Sequence, residues 1–142
     1  MKRILVPTDG SDCSGLAIEK AIEMAKLFGS KIILFNVYDI QHVSSYFDFQ
    51  HQERVDSLCE DMAKQSLNIL EKAKAMCADF SGEVETVSVT GNPAVQICEY
   101  VEKNDIDLVV MGSHGMGGIK RLFLGSVTHQ VAVAIEKPIL II

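Results

Sequence analysis

With 142 residues, of which 48% are hydrophobic, the chain has the size and composition of one globular domain spanning residues 1–142. Its formal net charge of −6 leaves no basic tract to neutralise a nucleic-acid backbone, so we expect no nucleic-acid partner. No apolar run approaches the about 18 residues that a membrane span needs, and the run after Lys2 and Arg3 is too short for a secretory signal. We therefore expect a cytoplasmic protein without membrane insertion.

Five short segments have the pattern of β-strands. Four are nearly continuous apolar runs, which are typical of strands covered on both faces of a parallel sheet: residues 3–6, 31–37, 108–111 and 139–142. The remaining segment, Val84–Thr90, alternates valine with polar residues, which indicates a strand at the edge of a sheet.

Between the strands, apolar residues recur with helical spacing over residues 17–28, 55–80, 94–101 and 126–135. Gly29 follows the first helix as a C-terminal stop. Asn92 and Pro93 open the third as cap and first-turn proline, and Ser126 is predicted to cap the fourth. Strands and helices alternate, which predicts an α/β fold with a parallel sheet between two layers of helices.

The four cysteines and four histidines do not form a recognisable metal or redox motif. No two cysteines form CxxC, and no histidines show HxxxH or HExxH spacing, so we expect no metal site. Cys59, Cys77 and Cys98 fall on the apolar faces of their segments, which predicts buried, reduced thiols.

A glycine-rich segment with the sequence MGSHGMGGIKRLFLGS, residues 111–126, begins at the end of the fourth predicted strand. Ligands of open parallel sheets bind at the carboxyl ends of the strands, so this segment lies where a nucleotide is expected. The dinucleotide fingerprint GxGxxG fails because Lys120 stands where its last glycine is needed, and the P-loop ending GK[ST] does not occur. The pattern that remains is Gly112-x2-Gly115-x9-Gly125-Ser126.

This spacing resembles the ATP-binding signature of the universal stress proteins. The resemblance continues in order along the chain, through ILVPTDGS, VTGNPAVQI, DLVVMGSHGMGG and the final KPILII. It implies a Rossmann-like, adenine nucleotide α-hydrolase-like fold: a five-stranded parallel sheet in the order 3-2-1-4-5, with helices on both faces.

The resemblance also implies a site for ATP with Mg²⁺. It places the amides of Gly112 and Gly115 against the ribose and the phosphates, where a Cβ would obstruct the ligand. It also places phosphate oxygens at Gly125 and Ser126. It assigns the nucleoside to Asp9, and the adenine edge to the backbone of Val37. The complete implied set is Pro7, Thr8, Asp9, Val37, Met111, Gly112, Ser113, His114, Gly115, Met116, Gly117, Gly125, Ser126, Val127 and Thr128.

Structural alternatives remain open at several of these positions. Gly112 and Gly115 could form only a tight turn after the strand, and Asp9 could cap the first helix. His114 has no neighbouring nucleophile paired with an orienting carboxylate, so we assign no catalytic residue.

These residues favour a cytoplasmic ATP-binding regulatory protein of the stress response, whose bound state is read by a protein partner. One alternative is a slow ATPase or phosphotransferase that uses Ser113, His114 or Ser126. Another is an adaptor in which ATP is a structural ligand. The implied strand order leaves residues 139–142 at an edge, where two copies could pair antiparallel, so we expect a homodimer.

Overall fold

The computed structural model describes residues 1–40, 52–115 and 124–142, which form five strands and four helices. In chain order these are β1 Arg3–Pro7, α1 Asp12–Phe28, β2 Lys31–Tyr38, α2 Gln52–Met76, β3 Val84–Thr90, α3 Pro93–Lys103, β4 Leu108–Met111, α4 Ser126–Ala134 and β5 Ile139–Ile141.

The strands form one parallel sheet in the order β3-β2-β1-β4-β5, as the resemblance implied. Leu5 at its centre lies opposite Ile33 of β2 and Val109 of β4. β3 occupies one edge and β5 the other. Because all strands run in one direction, the loops that follow them gather at one end of the sheet.

Two apolar cores cover the two faces of the sheet. Ile4 and Val6 point to one face, where they pack with α1 and α2. Leu5, between them, points to the other and packs with α3 and α4. This alternation is the period of a β-strand, and it explains why the central strands read as unbroken apolar runs.

Three helix ends, two of α1 and one of α3, follow from local chemistry. The side chain of Ser11 caps α1 by accepting from Ser14 N–H at 3.2 Å. Gly29 ends α1 in the left-handed region with φ 63°, where glycine carries no Cβ penalty. Asn92 caps α3 by accepting from Val95 N–H at 3.2 Å, as predicted.

The prediction for the fourth helix was wrong by one residue. Ser126 is its first helical residue, and the N-cap is Gly125, which provides no side-chain hydrogen bond. Gly125 N–H donates to Ser113 C=O at 2.7 Å. That tertiary bond holds the chain at the cap position, and helical spacing alone does not reveal it.

The cysteines are free thiols in the structure. Cys77 is buried as predicted, and burial raises the pKa of its thiol. Cys59 and Cys98 are only partly buried, contrary to expectation. Within the described ranges, no helix combines the length and apolarity that crossing a bilayer demands.

Candidate functional site

A cavity of about 460 Å³ opens at the carboxyl end of the sheet. The ends of β1, β2 and β4 and the first turns of α3 and α4 contribute to its walls. Its lining residues are Pro7, Thr8, Asp9, Ser14, Phe35, Asn36, Val37, Pro93, Ile97, Met111, Gly112, His114, Gly115, Gly125, Ser126, Val127 and Thr128.

Three buried polar side chains connect the elements around this cavity. Asn36 Nδ2 donates to Thr8 C=O at 2.7 Å, which ties the end of β2 to the residue after β1. The hydroxyl of Thr8 donates to Ser14 Oγ at 3.0 Å, and Ser14 Oγ donates to Ser11 C=O at 2.9 Å. Thr8, Ser14 and Asn36 are each at most 5% exposed. Their mutual bonds offset the cost of burial and hold two strand ends and α1 in fixed positions.

Asp9 stands directly after β1 at the rim of the cavity. Its Oδ1 accepts from Ser11 N–H at 3.0 Å, so the carboxylate orders the turn that leads into α1. The cap of α1 is Ser11 itself. The alternative that Asp9 serves as the helix cap is therefore wrong.

The amino end of α4 faces the same cavity. Its first helical hydrogen bond runs from His129 N–H to Gly125 C=O at 2.9 Å. The amides that precede this bond have no place in the helical ladder, and the cap residue Gly125 provides no side-chain hydrogen bond to them. These are the amides of Ser126, Val127 and Thr128. The hydroxyl of Thr128 donates to Gly112 C=O at 2.9 Å, which anchors the helix to the exit of β4.

At two of the glycines, a Cβ would come too close to another part of the protein. A Cβ on Gly112 would lie 2.8 Å from the carbonyl carbon of Cys13, so the glycine lets α1 pack against the end of β4. A Cβ on Gly115 would lie 2.6 Å from Asp9 Oδ2. The resemblance had implied that a ligand excludes these Cβ atoms. At Gly112 the backbone of Cys13 already does so, whereas at Gly115 a Cβ would require the Asp9 carboxylate to move.

The sequence model of the universal stress protein family matches residues 1–142. The chain belongs to the universal stress protein family. Universal stress protein MJ0531 of Methanocaldococcus jannaschii is 33% identical over 141 residues, which are 99% of this chain and 81% of that protein.

Solved structures of the family share this fold. The structure of protein MJ0577, from the same organism, matches with a TM-score of 0.86 and 30% identity, over 99% of this chain and 94% of the other. A universal stress protein in complex with cAMP matches with a TM-score of 0.70 and 26% identity, over 99% of this chain and 95% of the other.

Most residues that the family resemblance implied lie around the cavity: Pro7, Thr8, Asp9, Val37, Met111, Gly112, His114, Gly115, Gly125, Ser126, Val127 and Thr128. Ser113 is not among the lining residues. Its N–H donates to Ile142 C=O and its C=O accepts from Gly125, both at 2.7 Å. Met116 and Gly117 lie outside the described residues.

Sequence reasoning missed five lining residues: Ser14, Phe35, Asn36, Pro93 and Ile97. A signal was available for Asn36, because a polar side chain interrupts the apolar run of β2 at its carboxyl end. Phe35 and Ile97 had no such signal, since they also belong to the apolar core.

One serine–histidine pair lies next to the cavity. Ser113 Oγ and His114 Nδ1 share a hydrogen bond of 3.1 Å, but Ser113 does not line the cavity. Among the residues that the structure describes, no three of the types His, Cys, Asp and Glu are grouped so that they could hold a metal.

A second, open cavity of about 360 Å³ lies at the amino end of the sheet. Its charged lining residues are Lys2, Lys26, Lys31 and Glu83. The ammonium group of Lys31 is already paired with Glu83 and Glu85, each at 2.7 Å. The hydrogen bond to Glu83, and next that to Glu85, raises the pKa of Lys31. The charge of this lysine is therefore already balanced by the two glutamates.

Proposed function

We propose that this universal stress protein binds ATP, together with Mg²⁺, in the cavity at the carboxyl end of the sheet. One observation carries the proposal: the uncapped amides at the start of α4 face a cavity whose opposite wall is formed by the ends of β1 and β2. Helix N-termini attract phosphate because their free N–H groups and the helix dipole both favour negative charge.

The backbone of Val37 supports adenine as the base. Phe35 C=O accepts from Thr8 N–H, so the backbone groups of Phe35 face β1. Val37 has the same orientation because it lies two residues further along β2. β1 ends at Pro7, which is paired with Phe35. The N–H and C=O of Val37 therefore lie beyond the last strand pair and can meet one donor and one acceptor on the edge of adenine.

The cAMP complex of a relative with 26% identity supports the same class of ligand. Asp9 would accept hydrogen bonds from the ribose hydroxyls, because it lies between the base end and the phosphate end of the cavity. Mg²⁺ would be bound through phosphate oxygens of the nucleotide, since this small cation is usually held by substrate phosphates and only one or two protein ligands.

The proposed biological role is that of a cytoplasmic regulatory module of the stress response, in which occupancy by ATP is read by a protein partner. Slow ATP turnover is the competing enzymatic role, and an adaptor with ATP as a structural ligand is the other alternative. A turnover assay on the purified protein separates the enzyme from the binders. A pull-down with and without ATP separates the regulator from the adaptor.

We also propose a homodimer through β5. Ile142 N–H donates to Met111 C=O of β4. Because successive amides of a strand point in opposite directions, Ile141 N–H points to the outer edge of the sheet. An apolar edge strand with outward amides is suited to pairing with a second copy about a two-fold axis.

Calorimetric titration of the purified protein with Mg·ATP and Mg·GTP tests the binding proposal. We expect ATP to bind at least about tenfold more tightly, because guanine has an acceptor (O6) where adenine has its N6–H donor and a donor (N1–H) where adenine has its N1 acceptor, which mismatches the N–H and C=O of Val37. Equal affinities would contradict the adenine assignment, and absence of ATP binding at millimolar concentration would overturn the proposed function.

A further inference from the structure

One ring nitrogen of His114 is left without a partner. Its Nε2 is buried, and it has no hydrogen-bond partner within the protein that the structure describes. The other ring nitrogen, Nδ1, shares a bond of 3.1 Å with Ser113 Oγ. Buried polar atoms are nearly always paired in native proteins, since an unmade hydrogen bond leaves the cost of desolvation uncompensated. The unpaired nitrogen therefore points to a partner that arrives with a ligand.

The position of His114 indicates which part of a ligand it would meet. His114 is one of the residues that line the main cavity. A Cβ on Gly125, the cap of α4, would lie 3.3 Å from the Cα of His114 and 3.7 Å from the amide nitrogen of Gly115. His114 thus belongs to the loop that packs on the amino end of α4, where the free amides favour an anion.

Few of the described lining residues carry an ionisable side chain. Asp9 is the only carboxylate among the described lining residues, and these include no lysine or arginine. Among the described lining residues, His114 alone has an imidazole, whose ring N–H can donate to a phosphate oxygen.

We propose that His114 donates a hydrogen bond from Nε2 to a phosphate oxygen of the bound nucleotide, and so lets the site distinguish nucleotides from nucleosides. When the hydroxyl of Ser113 donates to Nδ1, the proton of the neutral ring resides on Nε2, which is the donor that a phosphate requires. Ser113 is then a positioning residue for the imidazole. This inference rests on the proposed nucleotide binding.

The test compares AMP with adenosine, because the two ligands differ only by the phosphate. Wild-type protein and the variants His114→Phe and His114→Gln are titrated with each by calorimetry. We expect wild type to bind AMP at least about tenfold more tightly than adenosine, since charge-assisted hydrogen bonds are the strong ones. His114→Phe should lose most of that ratio and keep adenosine affinity within about twofold. His114→Gln, which retains an N–H donor, should keep a larger ratio than the phenylalanine variant.

A second readout does not depend on any substitution. The ¹⁵N resonance of His114 Nε2 in the wild-type protein should move when AMP is added and stay in place with adenosine, with His114→Gln serving to assign the signal. A wild-type AMP preference that persists in His114→Phe, or an equal loss of both ligands, would overturn the role of His114 while leaving nucleotide binding intact. If wild type bound neither ligand nor ATP, the proposed function itself would fail, and this inference with it.

Discussion

The carboxylate of Asp9 occupies the space that a side chain on Gly115 would need, since a Cβ on Gly115 would lie 2.6 Å from Asp9 Oδ2. The two residues lie in the loops that follow β1 and β4, which are neighbouring strands in the sheet. Glycine at position 115 therefore leaves room for the Asp9 carboxylate in its observed position.

The first prediction follows from this contact. Gly115→Ala should displace the Asp9 carboxylate and weaken ATP binding by about tenfold, the cost of one charge-assisted hydrogen bond. The fold should survive, because Gly115 is exposed and the Asp9 side chain can rotate away from the new methyl group. Calorimetry measures the affinity, and the urea midpoint checks the fold.

A double-mutant cycle makes this prediction sharper. If the effect acts through the carboxylate, Gly115→Ala should cost little when it is added to Asp9→Ala. Wild-type affinity in the single variant Gly115→Ala would contradict the interpretation. Gly15→Ala is the matched control, since its Cβ would make an ordinary contact of 3.7 Å with Met76 Cε.

Gly112→Ala should act on stability. Its Cβ would lie 2.8 Å from the carbonyl carbon of Cys13, a backbone atom in the first turn of α1 that cannot move without shifting the helix. We expect a loss of about 1–3 kcal/mol in the free energy of unfolding, as for other overpacked sites. Urea denaturation measures it against Gly15→Ala, where helix propensity favours alanine by about 0.5–1 kcal/mol. An unchanged midpoint for Gly112→Ala would show that α1 does not pack this closely.

The dimer proposal makes a prediction about a single amide. Ile141→Pro removes the N–H that points to the outer edge of β5 and leaves the bond from Ile142 N–H to Met111 C=O in place. Proline is tolerated at sheet edges for this reason. Light scattering at micromolar concentration should find a dimer for wild type and for Ile141→Val, but a monomer for Ile141→Pro. A monomeric wild type, or a dimeric proline variant, would refute pairing through this edge.

The hydrogen bonds accepted by Asp107 should make a pH-dependent contribution to the free energy of unfolding. Its Oδ2 accepts from the amides of Lys2 at 2.6 Å and Arg3 at 2.9 Å, and these bonds hold the pKa of the carboxyl below its ordinary value. A lowered folded-state pKa means that the stabilisation is present above the unfolded-state pKa and is lost as the pH falls through the folded-state pKa.

Asp107→Asn should therefore lower the free energy of unfolding by about 1 kcal/mol or less at neutral pH, because the site is open to solvent and screened. The difference from wild type should shrink as the pH falls below about 3.9. Urea titrations over this range measure it. Asp105→Asn changes the net charge equally and suits the left-handed backbone there, with φ 47°, so it serves as control. A difference that did not depend on pH would argue against the carboxylate bonds.

The element order could be predicted from the sequence because burial on both faces, helical spacing and cap residues are local signals. The strands at Val84–Thr90 and Leu108–Met111 were predicted with their observed bounds. The strand order came from the resemblance, since no local pattern states which strands are neighbours.

The parts that the sequence could not predict depend on contacts between distant segments. The N-cap of α4 is Gly125 rather than Ser126, because the N–H of Gly125 donates to the C=O of Ser113, a residue that is distant in sequence. The reason for a glycine at position 112 is the approach of Cys13, about a hundred residues earlier in the chain. Neither contact has a signature in the spacing of residues.

The most direct test of the account is to map where ATP binds. Amide spectra of ¹⁵N-labelled protein are recorded while Mg·ATP is added. We predict that the amides at the start of α4, those of Ser126, Val127 and Thr128, shift together with that of Val37 and reach saturation. The amides at the second cavity, at Lys26, Gly29 and Ser30, should stay unchanged. Shifts confined to the second cavity, or no saturable shifts at the start of α4, would contradict the claim that the carboxyl end of this sheet is a nucleotide site.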